Sequence, residues 1–226
     1  MKRHLKSLAA PKSWTLLRKE NKYVAKPVSS HPQARALPIS LLLKQMGFAD
    51  TVREVKKILN EKDVLVDGKA VLDRHFGVGF MDVIQIKKAK KSLRVSIDSK
   101  GRLTFIDIPD AETGKKVCKI AGKRVVRGNK IQLNLSDGRN ILMDKGDYSV
   151  GDSVVVQVPE QKILEHFKLA KGASIYLMSG RHTAVLGVVD DIQGNRLWFK
   201  ADGEKLETLK RFAFVVGKEK PVVKIR

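Results

Sequence analysis

The sequence predicts an α+β protein, mostly β, made of several small modules behind an extended basic arm. Three observations predict it. Short apolar runs at period two, separated by turn residues, fill most of the chain; two helices with apolar residues at three- and four-residue spacing fall within residues 39–60; and the first 38 residues are cationic and broken by prolines. The 226 residues carry 45 Lys+Arg against 24 Asp+Glu, a net charge of +21. Such an excess repels itself in a compact state and calls for a polyanionic partner. No apolar stretch approaches the ~18 residues of a membrane span, so no membrane partner is expected. Lys6, Lys12 and Pro11 interrupt any leader-like core, so secretion is not expected either. Cys118 is the single cysteine, which excludes an intrachain disulfide and a cysteine-based zinc cluster within the chain and fits a reducing cytoplasm.

Residues 1–38 hold nine basic positions (Lys2, Arg3, Lys6, Lys12, Arg18, Lys19, Lys22, Lys26, Arg35) against Glu20, with Pro11, Pro27, Pro32 and Pro38 opposing regular structure. The apolar residues here, Leu5, Leu8, Trp14, Leu16, Leu17 and Tyr23, follow no period and are too few to close a core. An arm that docks on a partner and orders only on binding is expected. The next module spans 39–91. Ile39, Leu42, Leu43 and Met46, ending at Gly47, predict a short helix. Thr51-x-x-Glu54 forms a capping box for a second, whose buried stripe is Val52, Val55, Ile58 and Leu59. Val64 and Val66, the turn pair Asp67-Gly68, then Lys69 and Val71 predict a tight hairpin, and Val83, Ile84 and Ile86 a returning strand.

The run Lys87, Lys88, Lys90, Lys91 reads as a linker or an exposed strand end. A β module follows at 92–170, with alternation at 93–97, 103–108, 131–135, 141–143 and 154–158; Ile163, Leu164 and Phe167 form a helical or extended connector. A third module at 171–216 has short strands at 175–178, 185–189, 197–200 and 212–216, spaced as in a small barrel. Residues 217–226 form a basic tail.

Arg53, Lys56 and Lys57 share the helix face opposite the apolar stripe, with Lys44 on the preceding helix and Lys69 at the hairpin, so their charges can converge on phosphates. On the arm, Lys2, Arg3, Lys6 and Lys12 are candidates for phosphate contact, while Trp14 either stacks on a base or anchors the arm on its own domain. Arg139, after an Asp-Gly turn, reaches phosphate or pairs with Asp137 or Asp144. Cys118 reads as a small core residue. The histidines at 4, 31, 75, 166 and 182 lack metal-ligand spacing, and no G-x-G-x-x-G follows a strand, so neither a cofactor nor a catalytic centre is expected.

The stretches HLKSLAAPKSW (4–14), EVKKILNEKDVLVDGK (54–69), GVGFMDVIQI (77–86), KIQLNLSDGRNI (130–141), VGDSVVVQVPEQKILEHF (150–167) and KGASIYLMSGRH (171–182) resemble the archaeal and eukaryotic-type small-subunit ribosomal protein family S4e over nearly the whole chain. The resemblance implies an S4-type αα-β RNA-binding domain at 39–86, a central β domain, and a KOW-type SH3-like barrel at 171–216 whose loop places Arg181 and His182 near RNA. It further implies a cytoplasmic, non-enzymatic component of the small subunit that grips ribosomal RNA through phosphates and shape, beside neighbouring ribosomal proteins. No small-molecule substrate and a monomeric state outside the ribosome follow. Two departures stand out: Ala184 and Val185 where the family usually has glycine and a basic residue, and Ser29-Ser30-His31-Pro32 where relatives tend to have a Pro-Gly-Pro-His turn. S4-type domains also accompany RNA-modifying enzymes, and KOW modules occur in RNA-binding regulators. No catalytic domain remains once the modules are subtracted, and a long basic arm suits permanent burial in RNA.

Overall fold

The computed structural model describes residues 4–144 and 146–225, and the chain divides into two compact units. One runs up to Ser96 and adds Arg102–Thr113; the other is Ile97–Gly101 with Gly114 onward.

The N-terminal unit begins with a small antiparallel pair, β1 (Leu5–Lys6) on β2 (Tyr23–Val24). The loop between them is closed by Arg18, whose guanidinium donates to the carbonyls of Ser7 (3.2 Å), Ala10 (2.8 Å) and Pro11 (3.0 Å). Trp14 is buried at 3% exposure, and the Leu103 amide donates to the Ser13 carbonyl at 3.0 Å. The expected free arm is therefore corrected: between residues 4 and 38 the segment is folded on its own domain. Its apolar residues are too few for a core of their own; Trp14 and Ala10 are buried, while Leu8, Leu17 and Tyr23 stay exposed. Strand β3 (Ala36–Pro38) leads directly into helix α1 (Ile39–Gln45), which ends on Gly47 at φ +73°, and helix α2 (Val52–Asn60) follows.

Strands β4 (Val64–Val66) and β5 (Lys69–Ala70) flank the Asp67-Gly68 turn, both residues at positive φ as a two-residue hairpin requires. Strand β6 (Gly77–Gly79) pairs with β3. Gly79 is obligatory there, because a Cβ would meet the His31 ring at 2.3 Å. That ring also sits 3.1 Å from Asp82, and Ser29 Oγ donates to the Gly77 carbonyl, so the Ser-Ser-His-Pro turn has its own set of bonds. Strands β7 (Val83–Ile86), β8 (Lys91–Ile97) and β9 (Leu103–Asp107) complete a sheet of order β5-β4-β7-β8-β9. The lysine run at 87–91 thus lies at the turn of a β7–β8 hairpin with Ile86 opposite Lys91, and the module boundary expected at 91/92 falls inside this sheet. Continued apolar alternation through Leu93 and Val95 holds β8 on the first core, despite the charge run.

The second unit contains two antiparallel sheets. Strands β10 (Lys115–Val126), β11 (Lys130–Leu135), β12 (Asn140–Met143), β13 (Ser153–Gln157) and β14 (Lys162–Phe167) order as β12-β11-β10-β13-β14. One face closes on Cys118, Ile120, Leu133, Leu135, Val154 and Val156, so Cys118 is a core residue and 162–167 takes the extended alternative. Strands β15 (Ser174–Leu177), β16 (Leu186–Gln193), β17 (Arg196–Ala201), β18 (Glu204–Leu209) and β19 (Ala213–Gly217) order as β18-β17-β16-β15-β19. Lys119 Nζ donates to the carbonyls of Arg211 and Ala213, tying the two sheets of this unit together. The tail is not free: Val223 and Ile225 are buried, and the Val222 amide donates to the Val216 carbonyl at 3.0 Å.

A buried cation organises the central sheet. Lys116 Nζ lies 3.1 Å from Asp137 Oδ2, and both side chains are almost fully enclosed. Burial pushes the Asp137 carboxyl up, but the Lys116 ammonium and the Arg139 amide more than offset this and hold it below the usual carboxylate range. Because the folded value is depressed, the pair stabilises above the unfolded carboxylate value and loses that contribution as pH falls through the folded one. Asp137→Asn is expected to lower unfolding free energy by about 3–5 kcal/mol at neutral pH, since it removes the carboxylate that faces a buried ammonium. In urea denaturation the gap to wild type should narrow below pH of about 4. Trp14→Ala should cost about 3–5 kcal/mol in the same assay; an unchanged unfolding curve would mean that the N-terminal segment is free after all.

Candidate nucleic-acid interface

Helix α2 is set by its cap. The Glu54 amide donates to Thr51 Oγ1 at 3.3 Å, and the Glu54 carboxylate accepts from the amides of Asp50 (2.8 Å) and Thr51 (3.3 Å). These bonds, Asp50's first, hold the exposed Glu54 carboxyl below its ordinary value. With the start fixed, Val55 and Leu59 point into the core at 0% exposure, and Arg53, Lys56, Lys57 and Asn60 are all exposed on the opposite face. The apolar stripe is narrower than expected, for Val52, at the first helical position, is 38% exposed. At the helix end, Glu61 pairs with Lys88 from the β7–β8 turn.

The other sequence-predicted residues distribute unevenly. Lys69 is exposed on β5, and Lys6 is exposed on β1 opposite Tyr23. Lys2 and Arg3 lie outside the described residues. Lys12, Trp14 and Lys44 are brought together in the wall of one open groove. Trp14 takes the anchoring alternative, since a side chain at 3% exposure has no face to offer a base. Arg139 is turned inward onto Asp137, Nε to Oδ2 at 3.2 Å, while Asp144 faces Lys130 instead. Arg181 is exposed, whereas the His182 ring packs edge-on against Phe199 with centroids 6.0 Å apart. Ala184 adopts φ +66°, a left-handed conformation that suits the glycine usual in the family.

One cationic feature escaped the sequence reading. The β10–β11 hairpin ends in a turn at Arg127–Asn129, with Gly128 and Asn129 at positive φ, and exposes Lys123, Arg124, Arg127 and Lys130. The signal was available in GKRVVRGNK (122–130), where cations flank a Gly-Asn turn. Among the described residues no group of His, Cys, Asp and Glu is arranged to hold a metal ion, and no helix is long and apolar enough to cross a membrane.

A helix pair beside a β hairpin, its second helix capped and presenting a cationic face, defines an S4-domain protein, and the S4 domain model matches residues 38–84. The chain belongs to the ribosomal family S4e. The model of that family matches residues 89–163, and the RS4NT (NUC023) domain matches residues 1–29. Small ribosomal subunit protein eS4 of Methanosphaera stadtmanae is 39% identical over 232 residues, covering 99% of this chain and 96% of that protein. The protein of the same name from Methanococcus aeolicus is 37% identical, covering 98% and 97%. The crystal structure of the 30S ribosomal protein S4e from Thermoplasma acidophilum superposes with a TM-score of 0.70 at 34% identity, covering 81% of this chain and 95% of that one.

Proposed function

We propose that this chain is a structural constituent of the small ribosomal subunit in the cytoplasm, holding ribosomal RNA through backbone phosphates and shape beside neighbouring ribosomal proteins. Full-length membership of a ribosomal family that is not an enzyme class supports the placement. The observation that carries the mechanism is the exposed face of Arg53, Lys56 and Lys57 on a helix rigidly started by its cap. Three cations at i, i+3 and i+4 on one surface meet successive phosphates, whereas A-form RNA hides its base edges in a deep, narrow groove. Lys69 and the tip cations of the β10–β11 hairpin extend the basic surface within their own units. We read 171–216 as a KOW-type SH3-like barrel, supported by the return of β19 to the side of β15. In that module Arg181 is the phosphate contact and His182 serves packing.

The test is RNA binding by the full chain. Its affinity for small-subunit ribosomal RNA is expected to fall steeply with salt. The triple change Arg53→Ala, Lys56→Ala, Lys57→Ala should weaken binding and reduce the logarithmic salt slope by about 2–3. Its unfolding midpoint should stay put, because none of the three side chains is buried. An unaltered slope would remove the helix face from the interface.

A further inference from the structure

The N-terminal unit contains an open groove of about 930 Å³ between the segment around residues 12–24 and the C-terminal half of α1. We propose that this groove receives an unpaired, looped-out nucleotide of the bound RNA, with its phosphate at a cationic rim and its base on an apolar floor. The proposal rests on the RNA-binding reading above and adds a second mode of contact to it.

Lys12, Arg18, Lys44 and Arg102 line the groove against Glu20 and Asp50, so its walls are net cationic. Arg18 is held by four loop carbonyls, those of Ser7, Leu8, Ala10 and Pro11, and acts as a fixed positive charge. The floor is apolar. Leu17 lines the groove at 72% exposure, with Leu41 from α1 and the buried Trp14. Trp14 has no acceptor for its indole N–H among the described residues.

An exposed leucine inside a basic concavity has no role in the fold, since its burial is negligible. Facing a flat base it removes apolar surface from water. The volume lies within the ~300–1,000 Å³ typical of small-ligand sites. That admits a nucleotide or two and excludes a duplex, whose bases are already paired inward. RNA recognition by proteins favours such splayed nucleotides in loops and bulges. The α2 face, exposed along its length, suits paired backbone, and the groove suits the unpaired base that a bulge supplies. An acidic peptide satisfies the rim but brings no planar apolar face for Leu17 and Leu41.

The test uses the full chain with Trp198→Phe, which leaves Trp14 as the sole tryptophan. It is titrated with two RNA hairpins identical except for one bulged nucleotide. The bulged hairpin is expected to bind about tenfold more tightly, the equivalent of one buried base face, and to shift Trp14 emission. Leu17→Asn and Arg102→Gln should each erase that preference while changing affinity for the paired hairpin by less than about twofold. Leu17 is exposed, so its variant should unfold at the parent's midpoint. Equal binding of the two hairpins, or a preference that survives both variants, would overturn the proposal. So would a polyglutamate peptide that shifts Trp14 emission and displaces the bulged hairpin. Failure of the α2 reading looks different: its triple variant would then bind both hairpins as the parent does.

Discussion

The structure depends on where a chain with 45 cationic and 24 acidic side chains directs its acids. Five aspartates are buried: Asp63, Asp67, Asp82, Asp137 and Asp152. Each holds backbone amides at a turn. Asp67 accepts from Val83, Asp82 from Gly79, Asp137 from Arg139, Asp152 from Ser149 and Leu169, and Asp63 from Lys88. Several also face a basic side chain: Lys116 lies on Asp137, His31 on Asp82 and His166 on Asp152, while the buried Arg94 takes Glu112. Acids committed inward cannot screen the surface. The positive excess therefore stays outside, and it is the surface a polyanion meets.

The fold converts that excess into shape. On α2 the cap fixes the helical phase, and phase decides that Arg53, Lys56 and Lys57 emerge together while Val55 and Leu59 go inward. At the β10–β11 tip, two residues at positive φ reverse the chain and carry Lys123, Arg124, Arg127 and Lys130 to the end of a ribbon. In both cases a local backbone device, rather than charge density alone, gathers the cations on one surface. Arg139 shows the converse: it follows a similar turn, but the buried Asp137 beside it draws it inward.

What was legible in the sequence was local. The capping box, the Gly47 stop and the Asp67-Gly68 hairpin each carry their signal within a few residues and formed as read, whereas β10 (Lys115–Val126), the middle strand of its sheet, was not among the strands expected. What was not legible depends on distant partners. Nothing near Trp14 announces that it will be enclosed, because its core comes from residues much later in the chain. The lysine run at 87–91 looked like a boundary because charge marks exposure but not whether strands on either side pair. Strand β18, Glu204–Leu209, is an edge strand of mostly polar composition, held by its pairing with β17 rather than by an apolar pattern. The groove joining Lys12 and Lys44 likewise arises from tertiary closure.

The central claim is that uncompensated surface cations hold this chain in the small ribosomal subunit. Sedimentation of a cell lysate through gradients of rising salt tests it most directly. The chain should travel with small subunits at low salt, resist a moderate wash, and leave them only at high salt. Migration as free protein at low salt, or a position independent of the subunits, would contradict the account.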